Sequence, residues 1–204
     1  FWKNIVRKFQ KDLENNQMRI VGGMSKGIQL RVPDNGVRPT SDRVREALFS
    51  ILDELVLKAS CLDLFAGSGS LGIEALSRGA KSCMFVDRSR HSCEAILFNL
   101  EKTKLVGGTV RKEEFELFLR KTRGEYDLVF ADPPYKLNGI VQQLASSETL
   151  VKLLLPGGVL VIETAKSDVD FPCHEEIDLL TVRKYGDSQL ILYRRNNNIT
   201  NNDI

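Results

Sequence analysis

The 204-residue sequence predicts an α/β fold in which helices cover both faces of a mostly parallel sheet. First, short apolar segments alternate with segments of helical period along residues 59–195, which is typical of strand–helix–strand units. Second, a glycine-rich turn joins the first of these strands to a helix, as in nucleotide-binding α/β folds. Third, only a short turn, Tyr185-Gly-Asp-Ser188, separates the last two strands, so we expect the final strand to run antiparallel.

The N-terminal part of the chain precedes this alternating pattern. Residues 1–17 have apolar residues at helical spacing but do not begin with Met, so we interpret them as an upstream segment that is vector-derived or mis-started, with Met18 as the initiator. Residues 19–32 predict a short hairpin that turns through glycine at 22–23 or at 25–27. Thr40 or Ser41 is expected to cap a helix that runs to about Lys58.

The core elements follow from hydrophobic periodicity. Seven strands are predicted, near residues 61–65, 82–86, 108–112, 126–131, 157–163, 177–184 and 188–194. Helices are predicted near residues 70–78, 89–103, 113–122 and 139–155, with a break inside the last one as an open alternative. The chain therefore divides into an upstream segment (1–17), an N-terminal hairpin and helix (18–58), an α/β core (59–195) and an Asn-rich tail that we expect to be disordered (196–204).

The first candidate site is the turn that follows the first core strand. The strand contains Asp63, and Gly67 and Gly69 after it let the backbone turn tightly and approach a ligand closely. Free N–H groups where a helix then starts, near Ser70, favour an anionic group. The next strand ends in Asp87, about 20 residues after the glycines, where nucleotide-binding α/β folds carry a ribose-binding carboxylate. This pattern predicts a ligand that contains a nucleoside.

The second candidate site, Asp132-Pro133-Pro134-Tyr135, follows the strand near 126–131. Proline has no backbone N–H, so this turn presents carbonyl groups that only accept hydrogen bonds. Together with the Asp132 carboxylate they suit an –NH2 group, and Tyr135 adds a face on which a base could stack, worth about 1–3 kcal/mol. The segment predicts chemistry on the exocyclic amine of a nucleobase; the alternative is an ordinary turn after a strand.

The two sites together favour a methyltransferase over a hydride-transfer enzyme. Gly67-x-Gly69-x-x-Gly72 fits the fingerprint for a nicotinamide dinucleotide as well as it fits S-adenosylmethionine. Asp63 could pair with the ammonium group in the methionine part of S-adenosylmethionine. The segment from Asp132 to Tyr135 has no role in hydride transfer, whereas it fits methyl transfer to an amine.

These residues carry a family resemblance that covers roughly residues 18 to 195. The chain resembles class I S-adenosylmethionine-dependent methyltransferases and, more narrowly, the bacterial 16S rRNA (guanine-N2)-methyltransferases of the RsmD type. Three segments carry it: Met18–Gly23 leading through Gly27 and Leu30 to Arg38–Leu52, then Leu62–Gly72, and Asp132–Tyr135; Lys184–Arg194 is a weaker fourth. The segment from Arg38 to Leu52 is the most family-specific of these.

The resemblance implies a Rossmann-like seven-stranded sheet of order 3-2-1-4-5-7-6, with the ligand over the carboxyl ends of the strands. It implies S-adenosylmethionine as cofactor and a guanine of 16S rRNA, in the small ribosomal subunit, as substrate. It also implies that residues 18–58 face the RNA and residues 59–195 are catalytic. We expect a cytoplasmic monomer that needs no metal and no membrane.

Site residues carry over by position in the matching motifs. Asp132, Pro133, Pro134 and Tyr135 are expected to hold the base. Eight residues are expected to line the cofactor, with Asp87 on the ribose: Asp63, Phe65, Ala66, Gly67, Ser68, Gly69, Asp87 and Arg88. Arg38, Thr40 and Arg45 are expected to close one side of the cofactor site. An equal alternative is that they cap the first helix and form salt bridges on it. Either Glu113 or Glu114 stands where many class I enzymes place Asp or Asn against the adenine.

Charge and composition agree with an RNA substrate. Residues 1–45 contain ten Lys and Arg against four Asp and Glu, while the whole chain carries a net charge of only +2. A basic front suits a phosphate backbone, and a solvated surface is the alternative. The four Cys and two His lack metal-ligand spacing, so no metal site is predicted.

Two other functions stay open: an amino-methyltransferase on DNA adenine or a protein glutamine amide, and a catalytically silent RNA-binding assembly factor.

Overall fold

A computed structural model describes residues 18–33, 41–134, 139–167 and 171–197. The upstream segment 1–17 and residues 198–204 of the tail lie outside these ranges. So do three of the predicted site residues, Arg38, Thr40 and Tyr135.

The N-terminal hairpin and the first helix form largely as predicted. Strand β1 (Met18–Arg19) pairs antiparallel with β2 (Gln29–Leu30). Helix α1 (Asp42–Leu52) begins after Ser41, whose hydroxyl accepts a hydrogen bond from the Val44 backbone N–H. The helix was predicted to reach Lys58, which is wrong, because a 3₁₀ turn (Asp53–Val56) replaces its last part. Asp53 takes a positive φ of 41°, which an α-helix does not allow.

The core alternates strands and helices. Its strands are β3 (Ser60–Leu64), β4 (Ser82–Asp87), β5 (Gly108–Lys112), β6 (Tyr126–Ala131), β7 (Leu154–Ala165), β8 (Ile177–Tyr185) and β9 (Ser188–Arg195). Its helices are α2 (Ser70–Ser77), α3 (Arg90–Thr103), α4 (Phe115–Lys121), α5 (Ile140–Ala145) and α6 (Glu148–Leu153).

The seven core strands form one sheet in the order β5-β4-β3-β6-β7-β9-β8. Numbered from β3, this is the predicted order 3-2-1-4-5-7-6. Strands β3 to β7 pair in parallel, and β9 runs antiparallel to both β7 and β8. The predicted Rossmann-like fold class is therefore confirmed, including the antiparallel final strand.

One core boundary differs from the prediction. The helical segment expected over residues 139–155, for which a break was an open alternative, forms two short helices, α5 and α6, and the second ends at Leu153. Leu154 already pairs with Tyr126, and the register then shifts before Leu128 pairs with Val159. Pro156 lies in this irregular stretch, where a residue without an N–H group is tolerated because the strand ladder is interrupted.

Both faces of the sheet are buried along its strands β3, β6, β7 and β9. One hydrophobic cluster joins the sheet to the N-terminal hairpin, α1, α2 and Ile96 of α3, and a second joins it to α4, α5 and α6. Neighbouring residues of β6 point to opposite faces, since Leu128 and Phe130 belong to the first cluster and Val129 and Ala131 to the second. Burial on both faces explains why the sequences of these strands are largely apolar rather than strictly alternating.

Candidate active site at the carboxyl edge of the sheet

The predicted site segments meet at one edge of the sheet. The last residue of β3, Leu64, pairs with Val86 on one side and with Ala131 on the other. The residues that follow these three are the glycine loop, Asp87 and Asp132. Since adjacent strands lie about 4.8 Å apart, all three segments border one crevice outside the carboxyl ends of the strands.

The glycine loop (Ala66–Gly69) makes a tight turn between β3 and α2. Its turn depends on positive φ values, 55° at Gly67 and 78° at Gly69, which glycine adopts without steric cost. Phe65 just before the loop also has a positive φ of 57°, at a cost of about 1–2 kcal/mol for a residue with a side chain. Its ring packs on Phe115 at 4.6 Å between centroids, which helps to hold this backbone geometry.

The third glycine of the fingerprint has a packing role. A Cβ atom on Gly72 would lie 2.4 Å from Cε1 of Phe85 and 2.5 Å from Sγ of Cys83. Both neighbours are buried residues of β4. Only glycine therefore lets α2 lie this close to the sheet.

Asp87 is held in place by two backbone groups. Its Oδ2 accepts a hydrogen bond from the Gly67 N–H at 2.8 Å, and its Oδ1 accepts one from the Ser89 N–H at 2.7 Å. A carboxylate has about four acceptor positions, so its two oxygens can also take the two hydroxyls of a ribose. The half-buried position and fixed orientation of Asp87 fit that use.

Asp63 lies beneath the glycine loop with only 1% of its surface exposed. Its Oδ2 accepts a hydrogen bond from the Gly72 N–H at 2.9 Å, in the first turn of α2. Burial raises the pKa of this carboxyl to about 8, and the negative charge of Asp87 acts in the same direction, whereas the Gly72 N–H opposes the shift. A cationic ligand group near Asp63 would favour its ionised form.

Asp132 and the two prolines leave β6 at the same edge. Asp132 and Pro134 are half-buried and Pro133 is buried. Because Pro133 and Pro134 carry no N–H, this stretch offers carbonyl oxygens and a carboxylate as acceptors and contains no backbone donor at either proline. Tyr135, the fourth residue of the predicted segment, lies outside the described residues.

Glu113 and Glu114 follow β5 at this edge, and each has another partner. Glu113 accepts a hydrogen bond from Lys121 Nζ at 2.6 Å, and its own N–H donates to the Asp87 carbonyl at 3.1 Å. The Glu114 side chain is 57% exposed and its Oε1 lies 3.8 Å from Nη1 of Arg88, which is itself exposed. Recognition of the adenine by either residue, and contact of Arg88 with the cofactor, stay predictions.

Arg45 occupies a structural position. Its side chain is fully buried, and Nη2 donates to the Arg19 carbonyl at 2.6 Å and to Oδ1 of Asp42 at 2.7 Å. Burial lowers its pKa, and the Asp42 carboxylate opposes that shift. Of the two alternatives stated for Arg45, these contacts support salt-bridging within the first helix, and they also tie α1 to the hairpin.

The sequence reasoning missed the polar residues that hold the hairpin against α2 and α3. Glu74 is fully buried and its Oε2 accepts from the Val21 N–H at 2.8 Å. Asn99 is also fully buried and contacts both the hairpin backbone and the glycine loop. The sequence contained a signal that these polar residues are buried. Asn99 and Thr103 follow Ile96 at i+3 and i+7, so they lie on the same buried face of the helix.

Within the described ranges, no group of three or more His, Cys, Asp or Glu side chains could hold a metal ion. No helix among the described elements has the length and apolarity that crossing a membrane requires. Cys61, Cys83 and Cys93 are buried free thiols, and Cys173 is exposed.

Comparisons with known proteins identify a matching family model and several relatives. A family model described as Conserved hypothetical protein 95 matches residues 18–194. Ribosomal RNA small subunit methyltransferase D of Escherichia coli K12 is 40% identical over 130 residues, which are 63% of this chain and 65% of that protein. The chain thus matches slightly less than two thirds of this relative. The protein of the same name from Haemophilus influenzae is 35% identical over 166 residues, 79% of this chain and 86% of that protein.

The fold is shared with solved structures. The structure described as "Putative methyltransferase yhhF from Escherichia coli" superposes with a TM-score of 0.77 at 32% identity, covering 90% of this chain and all of that one. A hypothetical protein of Thermus thermophilus superposes with a TM-score of 0.72 at 31% identity, covering 86% of this chain and 98% of that one.

Proposed function

We propose that this chain, which belongs to the family described as Conserved hypothetical protein 95, transfers a methyl group from S-adenosylmethionine to the N2 amine of a guanine in 16S ribosomal RNA. Membership in this family, together with the relatives named Ribosomal RNA small subunit methyltransferase D, confirms the RsmD-type resemblance. The observation that carries the proposal is that Asp132 and Pro133 follow β6 directly beside the strand that leads into the glycine loop.

The residues at the crevice fit this cofactor. Asp87, fixed by the Gly67 and Ser89 N–H groups, would accept the two ribose hydroxyls. The backbone of the glycine loop would face the amino-acid end, and Asp63 below it would pair with the ammonium group. When bound, S-adenosylmethionine supplies a methyl group on a positively charged sulfur.

Asp132 and Pro133 would orient the amine. The guanine N2 lone pair is delocalised into the ring, so the nitrogen is a weak nucleophile. Two acceptors, the Asp132 carboxylate and the Pro133 carbonyl, would each take one N–H and direct the lone pair toward the cofactor. The protein then contributes positioning and electrostatic stabilisation, and Asp132 would hold the proton that leaves after methyl transfer.

The base has to leave its stack to reach this crevice, which costs a few kcal/mol in a duplex and less in a loop. We propose that Tyr135 stacks on it and that the hairpin faces the surrounding RNA. Lys26 and Arg31 of the hairpin are exposed. The Arg31 guanidinium carbon lies 5.7 Å from the centroid of the Phe98 ring, which is 44% exposed, and such pairs suit contacts with unstacked bases. The chain would act as a monomer in the cytoplasm, where small subunits assemble.

The test is transfer of labelled methyl from S-adenosylmethionine to small ribosomal subunits that lack guanine-N2 methylation. Naked 16S rRNA and duplex DNA run beside them, and the product is identified by nucleoside analysis. We expect N2-methylguanosine in RNA. Label in DNA adenine, or binding of the cofactor without transfer to any substrate, would contradict the proposal and favour the amino-methyltransferase or the silent assembly factor instead.

Asp132→Ala should reduce turnover by at least about 100-fold, since it removes a group aimed at the reacting nitrogen. Cofactor affinity, measured by calorimetry, should stay within a few-fold of the wild-type value. Asp127→Ala is the matched control, because Asp127 lies at the opposite end of β6 and accepts a hydrogen bond from the Ser60 N–H at 2.8 Å. Near wild-type turnover in Asp132→Ala would refute the role of Asp132.

A further inference from the structure

Asn99 connects the glycine loop to the N-terminal hairpin. It lies on α3 with none of its surface exposed. Its Nδ2 donates to the Ser68 carbonyl at 2.9 Å and to the Arg31 carbonyl at 2.9 Å, and its Oδ1 accepts from the Arg31 N–H at 2.7 Å. One side chain therefore holds two segments that lie 37 residues apart in sequence.

The contacts with Arg31 fix the orientation of the amide. If the amide were reversed, its oxygen would face the carbonyls of Ser68 and Arg31, and its NH2 group would face the Arg31 N–H. In the observed orientation, one N–H of the NH2 group donates to the Arg31 carbonyl and the other donates to the Ser68 carbonyl. The hairpin backbone thus determines how Asn99 meets the glycine loop.

The glycine loop needs such a restraint. Gly67 and Gly69 flank Ser68 and have more conformational freedom than any other residue type. Asp87 holds the loop at the Gly67 N–H, on the strand β4 side. Asn99 holds the Ser68 carbonyl, one residue further along the loop, from the α3 side. The two bonds together fix the part of the loop that would face the amino-acid end of the cofactor.

We propose that Asn99 is a positioning residue for the cofactor, acting through the Ser68 carbonyl and oriented by the hairpin. The inference rests on the proposed binding of S-adenosylmethionine at this loop. Loss of the Asn99 amide would let the loop sample conformations that do not bind. The consequence falls on cofactor affinity and on KM for the cofactor rather than on kcat.

Ser77 provides a matched control. Its hydroxyl accepts from the Ser25 N–H at 3.0 Å and donates to the Gly22 carbonyl at 2.7 Å, so it also holds the hairpin with two hydrogen bonds. It lies at the end of α2, away from the glycine loop. Ser77→Ala therefore weakens the hairpin attachment without touching Ser68, whereas Asn99→Ala weakens both.

The first experiment measures S-adenosylmethionine affinity by calorimetry and stability by urea unfolding for wild type, Asn99→Ala and Ser77→Ala. We expect both variants to lose stability. Affinity should fall at least 10-fold in Asn99→Ala, with a matching rise in KM, and stay within about 2-fold in Ser77→Ala. Equal affinities in the two variants would overturn the inference. If Asn99→Ala does not fold, Asn99→Ser, which keeps a smaller polar group, replaces it under the same criteria.

A second measurement needs no cofactor. Hydrogen–deuterium exchange of the amides in residues 67–72 reports the order of the loop directly. Exchange there should be faster in Asn99→Ala than in Ser77→Ala, and equal exchange would overturn the positioning role. Absence of S-adenosylmethionine binding by wild type would instead refute the proposed function, so the two failures are distinguishable.

Discussion

Asp63→Asn should change how the stability of the protein depends on pH. Asp63 is buried below the glycine loop, and its burial raises the pKa to about 8 from an ordinary value of 3.8. Between these two values the unfolded chain has lost the proton and the folded protein has kept it. The folded state binds more protons in this window, so the Asp63 contribution to stability decreases as pH rises from about 4 to about 8.

The size of the effect follows from the two pKa values. Each pH unit inside the window changes the free energy of unfolding by about 1.4 kcal/mol for one proton. From pH 4 to pH 7 the wild type should therefore lose on the order of 4 kcal/mol that an asparagine does not lose. This is a large share of the 5–15 kcal/mol typical of a folded domain. The amide oxygen of the substituted side chain can still accept from the Gly72 N–H, so the backbone contact survives.

Urea unfolding at pH 4, 5, 6 and 7, followed by circular dichroism, measures this difference. The value at pH 4, where Asp63 is protonated in much of the unfolded chain as well, gives the cost of the substitution itself. The stability of Asp63→Asn relative to wild type should then increase with each pH step. Parallel curves would mean that Asp63 is ionised in the folded protein, and would refute the argument from burial.

Two further substitutions test the site and its packing. Asp87→Ala should weaken S-adenosylmethionine binding by about 10- to 100-fold, because hydrogen bonds to a charged group contribute about 1.5–3 kcal/mol. Calorimetry measures this change in affinity, with Asp127→Ala as the control. Unchanged affinity would contradict the proposed contact of Asp87 with the ribose. Gly72→Ala should destabilise the fold by about 1–3 kcal/mol, since the new Cβ would lie 2.4 Å from Phe85, although alanine favours a helix. Adding Phe85→Leu should restore part of that loss in urea unfolding, and a Gly72→Ala protein as stable as wild type would contradict the packing argument.

The sequence predicted most of the fold because its signals are local. Hydrophobic period located the seven core strands, and the turn at Tyr185–Ser188 predicted the antiparallel final strand. One boundary error lies where a tertiary pairing competes with helical propensity. Leu154 pairs with Tyr126 and so ends α6 early, and no periodicity in residues 139–155 signals that pairing.

The candidate site also combines features that the sequence predicted with features that only the structure shows. Gly67, Gly69 and Asp87 were predicted from spacing, and the structure brings them together at one edge of the sheet. The role of Gly72 in close packing depends on Phe85, a residue of the next strand, and is visible only in the assembled fold. Their roles toward a cofactor remain predictions until binding is measured.

By itself the sequence determined where the strands lie along the chain, the glycine turn and the acceptor-only segment after β6. It could do so because φ preference, missing N–H groups and side-chain period are properties of a few neighbouring residues. Only the tertiary structure decided that Asn99 holds the Ser68 carbonyl, that Arg45 is buried at the hairpin, and that burial raises the pKa of Asp63. Burial and hydrogen-bond partners depend on segments far apart in the chain, which no local pattern specifies.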